Sequence, residues 1–254
     1  MRFSRNVSWP MCLLGVSSGV LVSAQPRLTT IDQVLNRYKD ALGGARVIEN
    51  VQSETQQGEI EVSGRTGKVR FVNHAKAFKS VQHLTLSDGS EIDSGFDGSV
   101  AWEIRGGKAT IDRQTPVESY RRDADLQYAL HQPDYFETFE LAGVTEFEQR
   151  SCYWLHGTTH WGKDNNQFYD VGTGLLVGYR FQADQSDSRK VIVLVFSDYK
   201  SFGGPRVATK RTMRNGDRVQ TVTVNSVTYE PLQDSLFELP EPVKLLLKQG
   251  DAFF

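Results

Sequence analysis

From Glu54 to Asp112 the chain reads ETQQGEIEVSGRTGKVRFVNHAKAFKSVQHLTLSDGSEIDSGFDGSVAWEIRGGKATID. Polar and apolar residues alternate with a period of two through most of it, which is the signature of strands with one buried face. The interruptions are hairpin chemistry: Gly64-Arg65-Thr66-Gly67, Asp88-Gly89, Asp97-Gly98 and Gly106-Gly107. The pattern predicts strands near 55–62, 67–74, 77–86, 91–96, 99–105 and 108–112. Short strands joined by tight turns make an antiparallel sheet. A parallel sheet needs a crossover helix between each pair, and none is visible here.

Upstream of this run the period is helical. Ile31, Val34, Leu35, Tyr38 and Leu42 form one apolar stripe. Thr30 and Gln33 have capping-box spacing, and Gly43-Gly44 supplies a left-handed stop. A helix is expected over 30–42, with a further short turn within 45–51. The first 24 residues are different. Arg2 and Arg5 precede an apolar stretch from Met11 to Val22, and Val22-Ser23-Ala24 places small residues ahead of Gln25-Pro26. This is the layout of a cleavable secretory signal peptide, cut after Ala24. The apolar stretch is well short of the ~20 residues that cross a bilayer. Cleavage removes Cys12 and leaves Cys152 alone, so the exported chain, 25–254, has no internal disulfide and depends on core packing.

Downstream, Pro116 to Phe139 breaks the two-residue period. Pro116 suits a first helical turn, Tyr120, Ala124, Tyr128 and Leu130 are roughly helix-spaced, and Pro133 ends the segment. Strands resume near 144–149, 152–159, 166–170, 175–182, 190–199, 206–213 and 218–229, with turns at Gly172-Thr173-Gly174, Gly203-Gly204-Pro205 and Asn215-Gly216. Lys190 to Phe196 is almost continuously apolar and is expected to lie centrally, covered on both faces. Asp234 to Pro240 reads as one turn leading to a docked tail. The expected whole is one domain: a helix, about ten antiparallel strands and a helical insertion near 116–139.

Composition limits the function. With 39% hydrophobic and 24% charged residues, the 254-residue chain is neither disordered nor a polytopic membrane protein. Against 31 acidic residues, 29 Lys and Arg give a formal charge of -2, which does not indicate a strongly basic nucleic-acid surface and leaves room only for a local patch. His156 and His160 have zinc-protease spacing but lack the general-base glutamate and a third ligand. Cys152 lies four residues from His156, ~13 Å apart along a strand, so it is read as a buried thiol and not a nucleophile. Asp123 and Asp125 flank Arg121-Arg122 on a solvated helix face. Lys210-Arg211-Thr212-Met213-Arg214 suits either contact with anionic headgroups or, as the preferred reading, an edge strand protected by charge. No Gly-x-Ser-x-Gly, phosphate loop or dinucleotide fingerprint occurs. No catalytic residue, metal site or cofactor is expected.

Several local motifs recur in a recognisable order: Val34-Leu35-Asn36-Arg37-Tyr38 with Ala41-Leu42-Gly43-Gly44, Gly95-Phe96-Asp97-Gly98 with Ala101-Trp102, Phe168-Tyr169-Asp170 with Thr173-Gly174-Leu175-Leu176, and Tyr229 with Asp234-Ser235-Leu236-Phe237-Glu238-Leu239-Pro240. This order resembles the periplasmic lipoprotein-carrier superfamily (LolA/LolB-like), in particular its outer-membrane lipoprotein-sorting relatives. The resemblance implies a mainly β fold with some α: a curved antiparallel sheet forming an open half-barrel, with helices over its concave side and an apolar cavity that holds lipid acyl chains.

Phe71, Phe78, Phe96, Trp102, Tyr153, Phe168, Tyr179, Phe181 and Phe196 are the aromatic candidates for such a cavity, although aromatic residues equally pack a filled core. A chain of roughly sixteen carbons gains about 0.8 kcal/mol per buried CH₂, on the order of 13 kcal/mol before association costs. The sequence therefore points to a monomeric, non-enzymatic, periplasmic or secreted carrier of lipid or a lipidated protein, in transient contact with the membrane surface or envelope proteins. The alternative is an envelope sensor or interaction module on the same scaffold.

Overall fold

A computed structural model describes residues 27–74, 78–182 and 191–251. The predicted signal peptide lies outside them. Thirteen strands form one continuous sheet: β1 (Ser53–Val62), β2 (Arg65–His74), β3 (Lys79–Leu86), β4 (Glu91–Phe96), β5 (Ala101–Arg105), β6 (Lys108–Asp112), β7 (Phe136–Phe147), β8 (Arg150–Thr159), β9 (Asp164–Asp170), β10 (Leu176–Gln182), β11 (Val191–Ser201), β12 (Arg206–Asn215) and β13 (Arg218–Thr228). Their order is β6-β5-β4-β3-β2-β1-β13-β12-β11-β10-β9-β8-β7, and every neighbouring pair is antiparallel. The sheet is curved and not closed, an open half-barrel with α-helices.

The topology follows from two meanders. Strands β1 to β6 step outward by hairpins to one edge, and β7 to β13 step inward from the other until β13 pairs with β1. The chain must therefore pass from one edge of the sheet to the opposite edge. Helices α3 (Val117–Asp123) and α4 (Tyr128–His131), with a 3₁₀ turn at Gln132–Tyr135, make that passage. Ala124 and Tyr120 of this segment pack on Phe96 and Ala101, cross-strand partners on one face of β4 and β5.

Helix α1 (Ile31–Leu42) covers the same face further round. Thr30 and Gln33 form the expected capping box, and Gly43 ends the helix with φ 118°. Its buried stripe, Val34, Leu35, Tyr38 and Leu42, packs against Tyr153, Leu155, Tyr169 and Leu176. The Tyr38 and Tyr169 rings meet edge to face at 5.1 Å, and the Leu28 N–H donates to the Tyr153 hydroxyl at 3.0 Å. Helix α2 (Ala45–Glu49) follows directly. A second cluster, Ile60, Val69, Leu84, Val222 and Val224, consolidates the sheet around the β1–β13 junction.

The opposite face has its own aromatic cluster. Phe147 and Phe168 stack at 4.0 Å with Arg180 over both rings, beside Cys152 and Val177. Phe147 lies over Gly178, where a Cβ would come within 2.8 Å of the ring and 2.2 Å of the Leu194 carbonyl oxygen.

Four expectations need correction, and the expected docked tail gains a definite form. The strands number thirteen, not about ten, because each short run is a strand of its own. The insertion ends at Tyr135, and β7 starts at Phe136, eight residues earlier than the 144–149 reading, because its first residues face a partner strand across two bulges that blur the alternation. The apolar run of β11 is half-buried throughout, not covered on both faces, since an open barrel leaves its walls without a second layer. Lys210 to Arg214 belong to β12, an interior strand, not an edge. The tail beyond Pro240 is a helix, α5 (Glu241–Asp251), which lies against edge strand β6 and buries Val243 completely. Edge strands need such cover.

Helix α1 is held by packing more than by its cap. Leu35→Ala is expected to lower unfolding free energy by about 2–5 kcal/mol, and Thr30→Ala by ~1 kcal/mol, read from urea denaturation. Equal small losses would show that α1 is not docked.

Candidate functional site

Strand alternation decides what faces the helices. Phe71, Gln82, Ser94 and Glu103 are successive cross-strand partners from β2 to β5. With Phe96 and Ala101 they floor a hollow of about 640 Å³, which Tyr120 of α3 overhangs. The Tyr120 and Phe96 rings stack at 5.5 Å. Around the curve, Tyr179 and Phe181 of β10 and Ile192, Leu194 and Phe196 of β11 wall a second hollow of about 650 Å³, bordered by Arg122, Asp125 and Tyr128 of the crossing segment. Asp123 and Arg211 line both, so the two hollows adjoin at these residues. Each is within the size range of small-molecule sites, roughly 300–1,000 Å³.

Polar contacts brace the crossing segment internally at Asp125 and tie it to α2 and β9 at Gln127, Tyr128 and Gln132. The Asp125 side chain is 2% exposed. It accepts from the Tyr135 hydroxyl at 2.8 Å and the Gln127 backbone N–H at 2.9 Å, and His131 Nδ1 lies 2.9 Å away. Gln127 Nε2 donates to the carbonyls of Glu49 and Val51, tying the segment to α2. Gln132 Nε2 donates to the Tyr169 hydroxyl at 2.6 Å and to Gln167 Oε1, while Gln167 Nε2 donates to the Tyr128 hydroxyl at 3.2 Å. Arg122 pairs with Asp123 at 2.8 Å and lies 5.4 Å over the Trp161 ring. Asp125 and Arg122 thus turn inward, which corrects the expected solvated face. The Tyr135 hydroxyl needs a partner in this packed setting, and Asp125 supplies it.

Arg211 carries the main electrostatic anomaly. Its Nη2 donates to Gln56 Oε1 at 2.6 Å and its Nε to the Ala208 carbonyl at 3.3 Å. Gln56 Nε2 in turn donates to buried Glu54 at 2.6 Å. Burial lowers the Arg211 guanidinium below its ordinary value, opposed by the charge of Glu54. At the rim, hydrogen bonds led by the Tyr120 hydroxyl hold the Asp112 carboxyl well below the usual range, and burial together with that bond pushes Tyr120 up to about 12. The side-chain oxygen of Asn165, which lines the second hollow, has no hydrogen-bond partner.

The aromatic candidates are divided among different environments. Phe71, Phe96, Tyr179, Phe181 and Phe196 line the hollows. Phe78 packs beside Phe96. Tyr153 is enclosed in the α1 core. Phe168 stacks on Phe147 in the cluster with Cys152 and Val177 on the opposite face. Trp102 alternates away from Ala101 and Glu103, and a Cβ on Gly95 would come within 2.8 Å of its ring, so Trp102 reaches the first hollow only at its border. The sequence reading did not single out Arg211, Leu194, Ile192, Tyr120 or Tyr128 for this site. Two-residue steps from Phe196 would have found Leu194 and Ile192. Nothing local marks Arg211 as inward-facing without the register of β12. Cys152 is fully buried, and burial pushes its thiol up to about 11. Among the described residues no group of three His, Cys, Asp or Glu is placed to hold a metal, and no helix is long and apolar enough to cross a membrane.

No protein-family model matches the chain, and no curated protein matches it. Solved structures that share its fold include a LolA superfamily protein from Nitrosomonas europaea, at 11% identity over 84% of this chain and 99% of that one, with a TM-score of 0.57. A DUF1329 family protein from Desulfovibrio piger matches at 15% identity over 82% and 97%, with a TM-score of 0.55. A domain described as an outer membrane lipoprotein-sorting protein, from Vibrio parahaemolyticus, matches at 10% identity over 84% and 99%, with a TM-score of 0.54. At these identities the likeness is one of fold, and the fold is LolA-like, in agreement with the sequence motifs.

The tyrosines around α1 and the second hollow give the protein an alkaline limit. Burial is the largest cause raising Tyr38, Tyr128, Tyr169, Tyr179 and Tyr199 above the ordinary value of 10.0, with Tyr128 pushed up to about 12. The stability gained by keeping them neutral is complete below pH 10 and is lost as pH rises through the folded-state values. Tyrosinate absorbance is therefore expected to appear together with cooperative unfolding above about pH 11. Ionisation of these tyrosines near pH 10 with the fold intact would refute the packing described.

Proposed function

We propose that this protein is an exported, non-enzymatic carrier that holds a lipid, or the acyl chain of a lipidated protein, in the paired hollows beneath the crossing helices. The observation that carries this reading is the unfilled space itself: Tyr179, Phe181, Ile192, Leu194 and Phe196 turn apolar surface toward a hollow, although side chains of this size could fill a core. Exposed apolar surface of this kind favours an apolar guest, because each CH₂ removed from water gains about 0.8 kcal/mol. The LolA-like fold supports the same reading, and one structure that shares it is described as an outer membrane lipoprotein-sorting protein domain. On this reading the chain works in the cell envelope, and α1 with the crossing segment forms the cover over the guest.

The cover also suits release. The crossing segment is tied to α2 through Gln127 and to β9 through Gln132, its buried apolar contacts are the small Ala124 and Ala129, and its helix α3 buries no residue completely. Elements with few buried apolar contacts open at lower cost than core strands. The two hollows then communicate as one trough along the inner wall.

After organic extraction, the protein is expected to bind a fluorescent long-chain probe saturably at micromolar concentration or tighter. Phe181→Ala removes part of the wall and should weaken binding about tenfold, a loss of ~1.4 kcal/mol, with a thermal midpoint close to that of the unmodified protein. Absence of saturable binding, together with no lipid in the extract, would reject the carrier reading.

A further inference from the structure

Resting on that reading, we propose that the guest is an amphiphile with a single carboxylate head, the head received by Arg211 and the chain laid along Phe196, Leu194 and Ile192. Arg211 is inward on β12, with Phe196 of β11 and Val222 of β13 as its direct cross-strand partners. An arginine between two apolar residues on the wall of a greasy hollow is costly unless its charge is met. It makes no ion pair among the described residues. Only its Nη2 and Nε are used, toward Gln56 and Ala208, and the guanidinium keeps Nη1 for a guest. Glu54, the buried anion behind it, accepts a hydrogen bond from Gln56 and offsets part of the guanidinium charge directly.

The surroundings select the head and the direction of the chain. The free Nη1 is a donor only and always charged, so it meets one oxygen of an anionic carboxylate head with charge as well as a hydrogen bond. A dianionic head would also face Asp123, which borders both hollows, and Glu103 and Asp112 of the first. Arg122 is a poorer receptor, being paired with Asp123 and laid over Trp161. From Arg211 the apolar path leads one way. Phe196, Leu194 and Ile192 follow at two-residue steps along β11, spanning ~13 Å, with Tyr179 and Phe181 beside them. In the other direction the floor carries Gln82, Ser94 and Glu103. The chain therefore enters the second hollow, with the head at the junction.

The test compares two ligands of equal chain length, hexadecanoate and hexadecan-1-ol, on the extracted full-length protein at pH 8, by displacement of the fluorescent probe. The unmodified protein is expected to bind the acid at least tenfold tighter than the alcohol. Arg211→Met should abolish that preference while changing alcohol affinity less than twofold, and Arg211→Lys should retain part of it. Equal affinity for acid and alcohol in the unmodified protein would overturn the head site and leave the carrier reading standing. Binding of neither would reject the carrier reading itself. Tighter binding of hexadecyl phosphate than of hexadecanoate would overturn the choice of a carboxylate. Should Arg211→Met fail to fold, the comparison in the unmodified protein decides the matter.

Discussion

A chain that builds one half of a curved sheet outward to β6 and the other half inward from β7 has to cross the open mouth between them. That single connection governs the rest of the molecule. It places α3, α4 and the 3₁₀ turn over the inner face, and with α1 it makes the inner face the covered one. A closed barrel of thirteen strands would need no such cover, and a flat sheet would offer nothing to enclose. The open half-barrel needs a lid and leaves a gap beneath it, because short helices cannot fill the width of the curve.

The two parts of the cover are held by different physics. Helix α1 is bound through Val34, Leu35, Tyr38 and Leu42, a wholly buried stripe on Tyr153, Leu155 and Tyr169. Separation of such a contact exposes apolar area and is cooperative with unfolding. The crossing segment reaches its neighbours through hydrogen bonds of Gln127 to α2 and of Gln132 and Tyr128 to β9, while His131 and Tyr135 bond Asp125 within the segment. Each bond to a neighbour contributes ~1 kcal/mol net, and water can replace it when the segment lifts. On the proposed carrier reading, a rigid wall and a cover attached by replaceable polar contacts would suit reversible loading of an apolar guest.

How far the sequence showed this depends on what each signal encodes. The capping box at Thr30 and Gln33, the stop at Gly43 and the hairpin glycines are local, and each predicted element has a counterpart in the structure. The start of β7 at Phe136 was hidden by two bulges that disturb the period. Burial of β11 was misjudged because a continuous apolar run means cover on both faces only when a second layer exists. The interior place of Lys210 to Arg214 was hidden too, since charge on a strand suggests an edge unless the charge has a partner across the sheet, as Arg211 has in Gln56. Asp234 to Pro240 reads as a turn before a docked tail, and that tail takes the form of α5, entered just after Pro240, as proline suits a helix start.

The aromatic residues show most clearly why composition alone falls short at a site. Phe168 and Phe181 are both strand phenylalanines in neighbouring β9 and β10, yet one stacks on Phe147 with Arg180 overhead and the other borders the second hollow. Parity within each strand assigns the face, and parity is fixed only once the register across each strand pair is known. The same rule that separates Phe168 from Phe181 turns Arg211 inward while Lys210 and Thr212 point the other way. A one-residue slip of β12 would bring Lys210 or Thr212 to the inner wall and remove the cation from the junction of the hollows. The chemistry of the site is thus set by the β11–β12–β13 ladder, in which Phe196, Arg211 and Val222 are held opposite one another.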